Sequence, residues 1–182
     1  REIAHKDSKA RPSAPFITSS LQASASTELG FGAKRTMGAA QALYEGIRIK
    51  GEGQTGLITY MRTDSTHLST DAINSARTYI GDKFGSAYLP DSPNFYKSSN
   101  KSAQEAHEAI RPTDAGRHPD TLPASIDEDQ RRLYKLIWSR FVSCQMTHAR
   151  WNRTEIFFER SDKQTGAVFK VAGRTLAFDG FY

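Results

Sequence analysis

Cysteine and long apolar runs are what this sequence has least of. Cys144 is the single cysteine among 182 residues, which excludes an internal disulfide and a zinc site built on several thiolates. No apolar stretch is long enough to predict a bilayer-spanning helix, and the N-terminal residues lack the pattern of a signal peptide. Apolar residues make up only 37% of the chain. We therefore expect a soluble chain, without a membrane partner, in a reducing compartment such as the cytoplasm.

The excess of basic over acidic residues is also small. The 25 Lys and Arg residues against 20 Asp and Glu residues leave a net charge of +5. No stretch is basic enough to form a disordered nucleic-acid-binding tail, so any anion must be bound by a folded surface. Because the chain begins at Arg1 without a methionine and stops within an apolar run, we also expect it to be part of a longer protein.

The apolar pattern predicts an α+β fold. Helical spacing starts near Thr18 to Ser20, after Ser69 and after Asp127. A further helix is predicted from Ala33 to Ile47, with Tyr44 in its apolar stripe, and glycines separate it from the first helix as in a helix-turn-helix-like unit. Other segments have the pattern of β-strands: residues 1–10, 57–61, 155–159, 167–171 and 175–178. Turns are predicted at residues 163–166 and 172–173. We expect a mainly helical domain over residues 14–147. Residues 1–13 and 148–182 would bracket it as a small antiparallel part of an adjoining β domain.

Three motifs that suggest nucleotide or metal chemistry have simpler interpretations. The glycines from Gly51 to Gly56 match G-x-G-x-x-G but precede a strand-like run instead of following one, so we interpret them as a flexible connector. His107-Glu108 lacks the second histidine of H-E-x-x-H, because Arg111 stands there. Asp127 and Asp129 open a helix, where carboxylates cap free N–H groups. The sequence therefore predicts no metal site.

Tyr60 and Arg62 form the most suggestive pair. In an extended backbone alternate side chains share a face, so the phenol would lie beside the guanidinium. Arginine grips phosphate through two parallel donors, and a nearby cation favours the phenolate form of tyrosine. Such a pair is also common by chance, so physical grounds alone favour structural packing over a nucleophile.

Longer strings extend this observation. Four segments closely resemble segments of the type IA DNA topoisomerases, and they occur in that family's order. These segments are Ala14 to Gln22, Ala33 to Ile47, Leu57 to Ser65 and Ala103 to Thr113. Met61 and the form Glu-Ala-His-Glu-Ala-Ile-Arg-Pro are more similar to the bacterial topoisomerase I branch than to the topoisomerase III branch. The resemblance covers nearly the whole chain.

The resemblance implies a role for each of four residues. Tyr60 would be the nucleophile that forms a 5′-phosphotyrosine on single-stranded DNA, and religation would need no ATP. Arg62 would hold the scissile phosphate, with His107 placed near it. Arg111 lies one turn after His107 if the backbone is helical there, although Pro112 biases Arg111 away from that conformation, and we infer a phosphate contact for it. Tyr60 and Arg62 are thus the predicted catalytic residues, and His107 and Arg111 the predicted DNA-binding residues.

The family's Mg²⁺ is bound by an acidic Toprim domain that this chain does not contain. We therefore expect the chain alone to be inactive, with single-stranded DNA and the remaining domains of the parent enzyme as its partners in the bacterial nucleoid. Two alternatives remain open at this point. One is a non-catalytic helix-turn-helix-like DNA-binding module, and the other is a structural interaction domain.

Overall fold

The computed structural model describes residues 2–96, 107–159 and 167–182, and it confirms the predicted α+β fold. The chain divides into two compact units. One consists of Arg1–Pro12 with Thr147–Tyr182, and the other of Ser13–Met146. Within the described residues no helix is both long and apolar enough to cross a membrane.

The first unit is a three-stranded antiparallel sheet. Strand β1 (Glu2–Ala10) pairs with β4 (Ala149–Glu159), which pairs with β5 (Val168–Phe178). The predicted turn at residues 172–173 is wrong, because β5 runs straight through it and Gly173 lies opposite Thr154 in the ladder. A continuous partner strand outweighs the local turn preference of a single glycine. The turn predicted at 163–166 lies outside the described residues.

The second unit begins with two helices. Helix α1 (Thr18–Ser24) continues as a π-helical turn (Ala25–Leu29), and Gly30 ends it at φ 71°. None of the predicted residues Thr18 to Ser20 is the N-cap, which is Ile17, although the Ser20 hydroxyl accepts a hydrogen bond from the Ile17 N–H at 3.0 Å. Helix α2 (Ala33–Glu45) is shorter than the predicted run to Ile47.

A hairpin follows α2, formed by β2 (Ile47–Ile49) and β3 (Gly53–Thr55). The segment from Gly51 to Gly56 is therefore not a flexible connector. Gly51 and Gly53 have φ of 88° and 77°, which lets the chain turn between the two short strands. The local signal for a turn was present in the sequence, but the pairing partner was not recognisable from it.

Two longer helices complete the unit. In α3 (Thr70–Phe84) the Ser69 side chain caps the first turn, and in α4 (Glu128–Cys144) Asp127 does so, as predicted. Asp129 pairs with Arg35 of α2 through two contacts of 2.6 Å. The core contains the largest fully buried side chains of the described residues, among them Phe16, Leu21, Phe31, Leu43, Ile80, Leu133, Tyr134 and Phe141.

Candidate active site around Tyr60

The segment that carries Tyr60 is extended but is not a strand of a sheet. Its one ladder contact is an isolated bridge between Ile58 and Pro112, flanked by hydrogen bonds from the Thr59 N–H to the Arg111 carbonyl (2.9 Å) and from the Thr113 N–H to the Leu57 carbonyl (3.0 Å). The predicted strand over residues 57–61 is therefore wrong.

Threonine hydroxyls hold the segment where strand neighbours are missing. The Thr18 hydroxyl lies 2.8 Å from the Met61 carbonyl oxygen, to which it donates, and it accepts a hydrogen bond from the Thr63 N–H at 2.9 Å. The Thr18 N–H donates to the Thr63 carbonyl at 2.9 Å. The Thr59 hydroxyl donates to the Ala109 carbonyl at 2.7 Å. The start of α1 thus fixes the backbone on both sides of Arg62.

Side chains along this segment alternate between solvent and core. Met61 and Thr63 are buried, whereas Tyr60 is 43% exposed and Arg62 and Asp64 are also exposed. This is the alternation that an extended backbone predicts. The phenol and the guanidinium therefore share the exposed side of the segment.

Tyr60 lines a cavity of about 270 Å³ together with Tyr44, Thr59, Thr63, His107 and Glu108. The Tyr60 ring meets the Tyr44 ring edge to face, with centroids 5.3 Å apart. Within the described part of the chain, the Tyr60 hydroxyl has no hydrogen-bond partner. The arrangement fixes the ring and leaves its oxygen accessible.

Arg62 lines a second, adjoining cavity of about 520 Å³. Thr63 and His107 line both cavities, so they form the wall that the two share. Three of the predicted residues, Tyr60, Arg62 and His107, are thus brought together, although the phenol and the guanidinium do not face into one cavity.

Arg111 is placed differently from the expectation. The helical turn that would put it on the face of His107 does not form, because Ile110 and Pro112 take part in extended bridges. Arg111 lines neither cavity. Its guanidinium donates to the Glu108 carboxylate at 2.6 Å and to the Pro112 carbonyl at 3.0 Å.

Glu108 is the charged group that the Tyr60 cavity adds to the predicted set. Its carboxylate also accepts a hydrogen bond from the Ser69 N–H at 2.8 Å. Burial by itself raises the pKa of Glu108, but the hydrogen bonds from Arg111 and Ser69 outweigh it, so the pKa lies below its ordinary value. Glu108 is therefore ionised at neutral pH, and its two oxygens are already engaged.

Sequence reasoning missed the residues that position the site. Tyr44 was assigned to the apolar stripe of α2, but it is 41% exposed and packs on Tyr60. Gly56 allows the segment to approach α2, since a Cβ there would lie 2.8 Å from the Tyr44 carbonyl oxygen. The spacing of threonines around Tyr60 was the available signal for Thr59 and Thr63. Nothing in the sequence connects Thr18 with a segment about 45 residues away.

Elsewhere in the described part of the chain, acidic and histidine side chains do not come together to form a metal site. Among the described residues, no three His, Cys, Asp or Glu side chains are placed to hold a metal ion.

A family model described as DNA topoisomerase matches residues 1–182. DNA topoisomerase 1 of Campylobacter jejuni is 47% identical over 181 residues, which are 100% of this chain and 25% of that protein. DNA topoisomerase 1 of Haemophilus influenzae is 50% identical over 180 residues, which are 99% of this chain and 19% of that protein.

A solved structure agrees with the sequence comparisons. Full-length topoisomerase I from Thermotoga maritima matches with a TM-score of 0.85 at 37% identity, over 99% of this chain and 28% of that chain. The chain spans 25% of the length of the Campylobacter jejuni relative and 19% of the length of the Haemophilus influenzae relative.

Proposed function

The chain belongs to the type IA DNA topoisomerase family, in its bacterial topoisomerase I branch, and from that membership we propose that Tyr60 attacks single-stranded DNA. The observation that carries the proposal is the accessible Tyr60 hydroxyl on a backbone that is held from both sides. In the whole enzyme this reaction would open and reseal one strand and so relax negative supercoils.

The proposed step is a transesterification. The phenol oxygen bonds to phosphorus while the bond from phosphorus to the 3′ oxygen breaks. The phenol loses its proton and the departing 3′ oxygen gains one, which gives a 5′-phosphotyrosine and a 3′-hydroxyl. The reverse attack restores the strand, and because the phosphotyrosine keeps the bond energy, no ATP is consumed.

Arg62 and His107 support this reaction from the neighbouring cavity. A guanidinium presents two parallel donors to the non-bridging oxygens of a phosphate, and these bonds are worth most in the crowded transition state. His107 lies on the wall shared by the two cavities, so it contacts a phosphate that lies between Tyr60 and Arg62.

For Arg111 we propose an indirect role. Its donors are directed to Glu108 and to the Pro112 carbonyl. The ion pair holds Glu108 at the rim of the Tyr60 cavity and balances its charge, which would otherwise repel a phosphate. Arg111 thereby assists DNA binding without gripping the phosphate directly.

The fold family implies Mg²⁺, and the described residues of this chain do not fit it. No acidic trio is present among them, and Asp127 and Asp129 are engaged in capping α4 and binding Arg35. We propose that any Mg²⁺ is held by other parts of the whole enzyme, in the bacterial cytoplasm.

The test is a chimeric enzyme in which this chain replaces the matching segment of the Haemophilus influenzae relative. Mixing it with end-labelled single-stranded DNA and then denaturing should leave label covalently on the protein. Tyr60→Phe should abolish that adduct. Tyr44→Phe is the matched control, since it removes a hydroxyl from the adjacent ring, and it should retain the adduct.

An adduct that survives Tyr60→Phe would refute the assignment of the nucleophile. Single-stranded DNA binding without any adduct, indifferent to Tyr60, would favour the non-catalytic DNA-binding module instead. Absence of DNA binding at low salt would favour the structural interaction domain.

A further inference from the structure

Apart from Arg62 and His107, the residues that line the cavity beside Arg62 have no role in the proposed transesterification. We propose that it is a subsite for the nucleobase next to the reacting phosphate, and that Gln22 of α1 reads that base. The inference rests on the proposed function. Its geometric basis is that His107 and Thr63 line both cavities, so a phosphate on the shared wall directs an adjoining nucleoside toward Arg62.

The lining of this cavity suits a neutral base better than a second phosphate. Arg62 and Asp64 supply opposite charges two residues apart, and the other protein groups apart from His107 are the uncharged Ile17, Thr18, Ser19, Gln22 and Thr63. Besides His107, Arg62 is the one basic residue among these lining residues, and it is already assigned to the reacting phosphate. Ile17 offers apolar surface for the face of a ring, and amide, hydroxyl and carboxylate groups offer donors and acceptors to its edge.

The cavity wall is also preorganised. Thr18 fixes the backbone before and after Arg62 through its hydroxyl and its N–H. Gln22 lies one helical turn after Thr18 on the same side of α1. A ligand therefore meets groups whose backbone is already ordered, which lowers the entropic cost of recognition.

The chemistry of these groups predicts which base is favoured. A glutamine amide pairs with adenine through one donor and one acceptor, to N7 and the exocyclic amino group. Thymine carries no exocyclic amino group, so it leaves the amide oxygen of Gln22 without this hydrogen bond. We expect adenine to be preferred over thymine by on the order of tenfold.

The first experiment measures the affinity of the 182-residue chain for the tetranucleotides dA4 and dT4. The affinity ratio should be on the order of tenfold in favour of dA4 and should fall to about one in Gln22→Ala. Gln41→Ala is the matched control, because Gln41 lies on α2 and binds Glu45, so the ratio should persist. A ratio that is already near one, that survives Gln22→Ala, or that cannot be measured because neither tetranucleotide binds, overturns the subsite.

The second experiment separates this inference from the proposed function. In the chimeric enzyme, Gln22→Ala should redistribute the cleavage positions along a labelled mixed-sequence strand, whereas Gln41→Ala should leave them as in the unmodified chimera. An unchanged cleavage pattern overturns the subsite but leaves Tyr60 as nucleophile. Failure of the unmodified chimera to form any adduct contradicts the proposed function, while the tetranucleotide ratio still tests the subsite.

Discussion

Replacing Thr18 by valine removes the hydroxyl that holds the backbone around Arg62 while nearly keeping the side-chain volume. Two hydrogen bonds disappear, one to the Met61 carbonyl and one from the Thr63 N–H. Thr63 is buried, so its N–H is left without an acceptor there. A lost hydrogen bond is worth about 1 kcal/mol and an orphaned buried donor costs about 1 to 3 kcal/mol, so we expect a loss of about 2 to 4 kcal/mol in the free energy of unfolding.

The same change should affect chemistry more than binding. Once the backbone relaxes, Arg62 no longer approaches the phosphate from a fixed position, and a displacement of about 1 Å can reduce a rate by up to a hundredfold. We expect single-turnover adduct formation by the chimeric enzyme to slow at least about tenfold, with DNA affinity within about threefold. Urea unfolding and single-turnover cleavage at saturating enzyme are the two assays.

Two variants make the Thr18 prediction falsifiable. Thr18→Ser keeps the hydroxyl and should restore most of the cleavage rate. Thr27→Val removes a hydroxyl from the same helical segment, where it only donates to the Ala23 carbonyl on the exposed side, and should change stability by less than about 0.5 kcal/mol. Equal effects of Thr18→Val and Thr27→Val, or a saturated cleavage rate untouched by Thr18→Val, would refute the reasoning.

Three further predictions concern the same unit and its chemistry. Gly56→Ala should destabilise the chain by more than about 1 kcal/mol in urea unfolding, because its Cβ would meet the Tyr44 carbonyl oxygen; Gly38→Ala, in open space on α2, should be neutral or stabilising. The pKa of Glu108 is lowered on folding, so its stabilising contribution is present above the ordinary value of 4.5 and lost as pH falls through the folded pKa; urea midpoints measured against pH should show that loss, and Glu108→Gln should remove it. The 182-residue chain alone should not relax a supercoiled plasmid, because the described residues contain no acidic trio that could bind a metal ion to stabilise the departing 3′ oxygen; robust relaxation on a gel would contradict this.

Helix boundaries were predictable where local chemistry decides them. Ser69 and Asp127 cap helices because a short polar side chain can satisfy free N–H groups within one turn. Gly30 ends a helix because glycine accepts a positive φ. Strand limits depended on distant partners instead. Gly173 looked like a turn, yet its pairing with Thr154 keeps it in the ladder.

The candidate site was predictable in its chemistry but not in its support. The alternation of exposed and buried side chains around Tyr60 follows from an extended backbone, and it is seen even without a strand ladder. The placement of Arg111 was not predictable from helical spacing, because Pro112 and its bridge to Ile58 keep that segment extended. The contact of Thr18 with Thr63 crosses 45 residues, and no local pattern encodes it.

The way the nucleophile segment is held has a consequence for how it reacts. Strand neighbours on both edges would fix Tyr60 equally well, but they would also crowd the side of the segment from which DNA must approach. Here the Thr18 hydroxyl satisfies backbone groups of Met61 and Thr63, and the Thr59 hydroxyl ties the segment to the Ala109 carbonyl and the Arg111 N–H. Tyr60 and Arg62 therefore stay exposed on an ordered backbone. The entropy of ordering the segment is lost on folding, so less of the free energy of binding DNA is spent on it when the phosphate arrives.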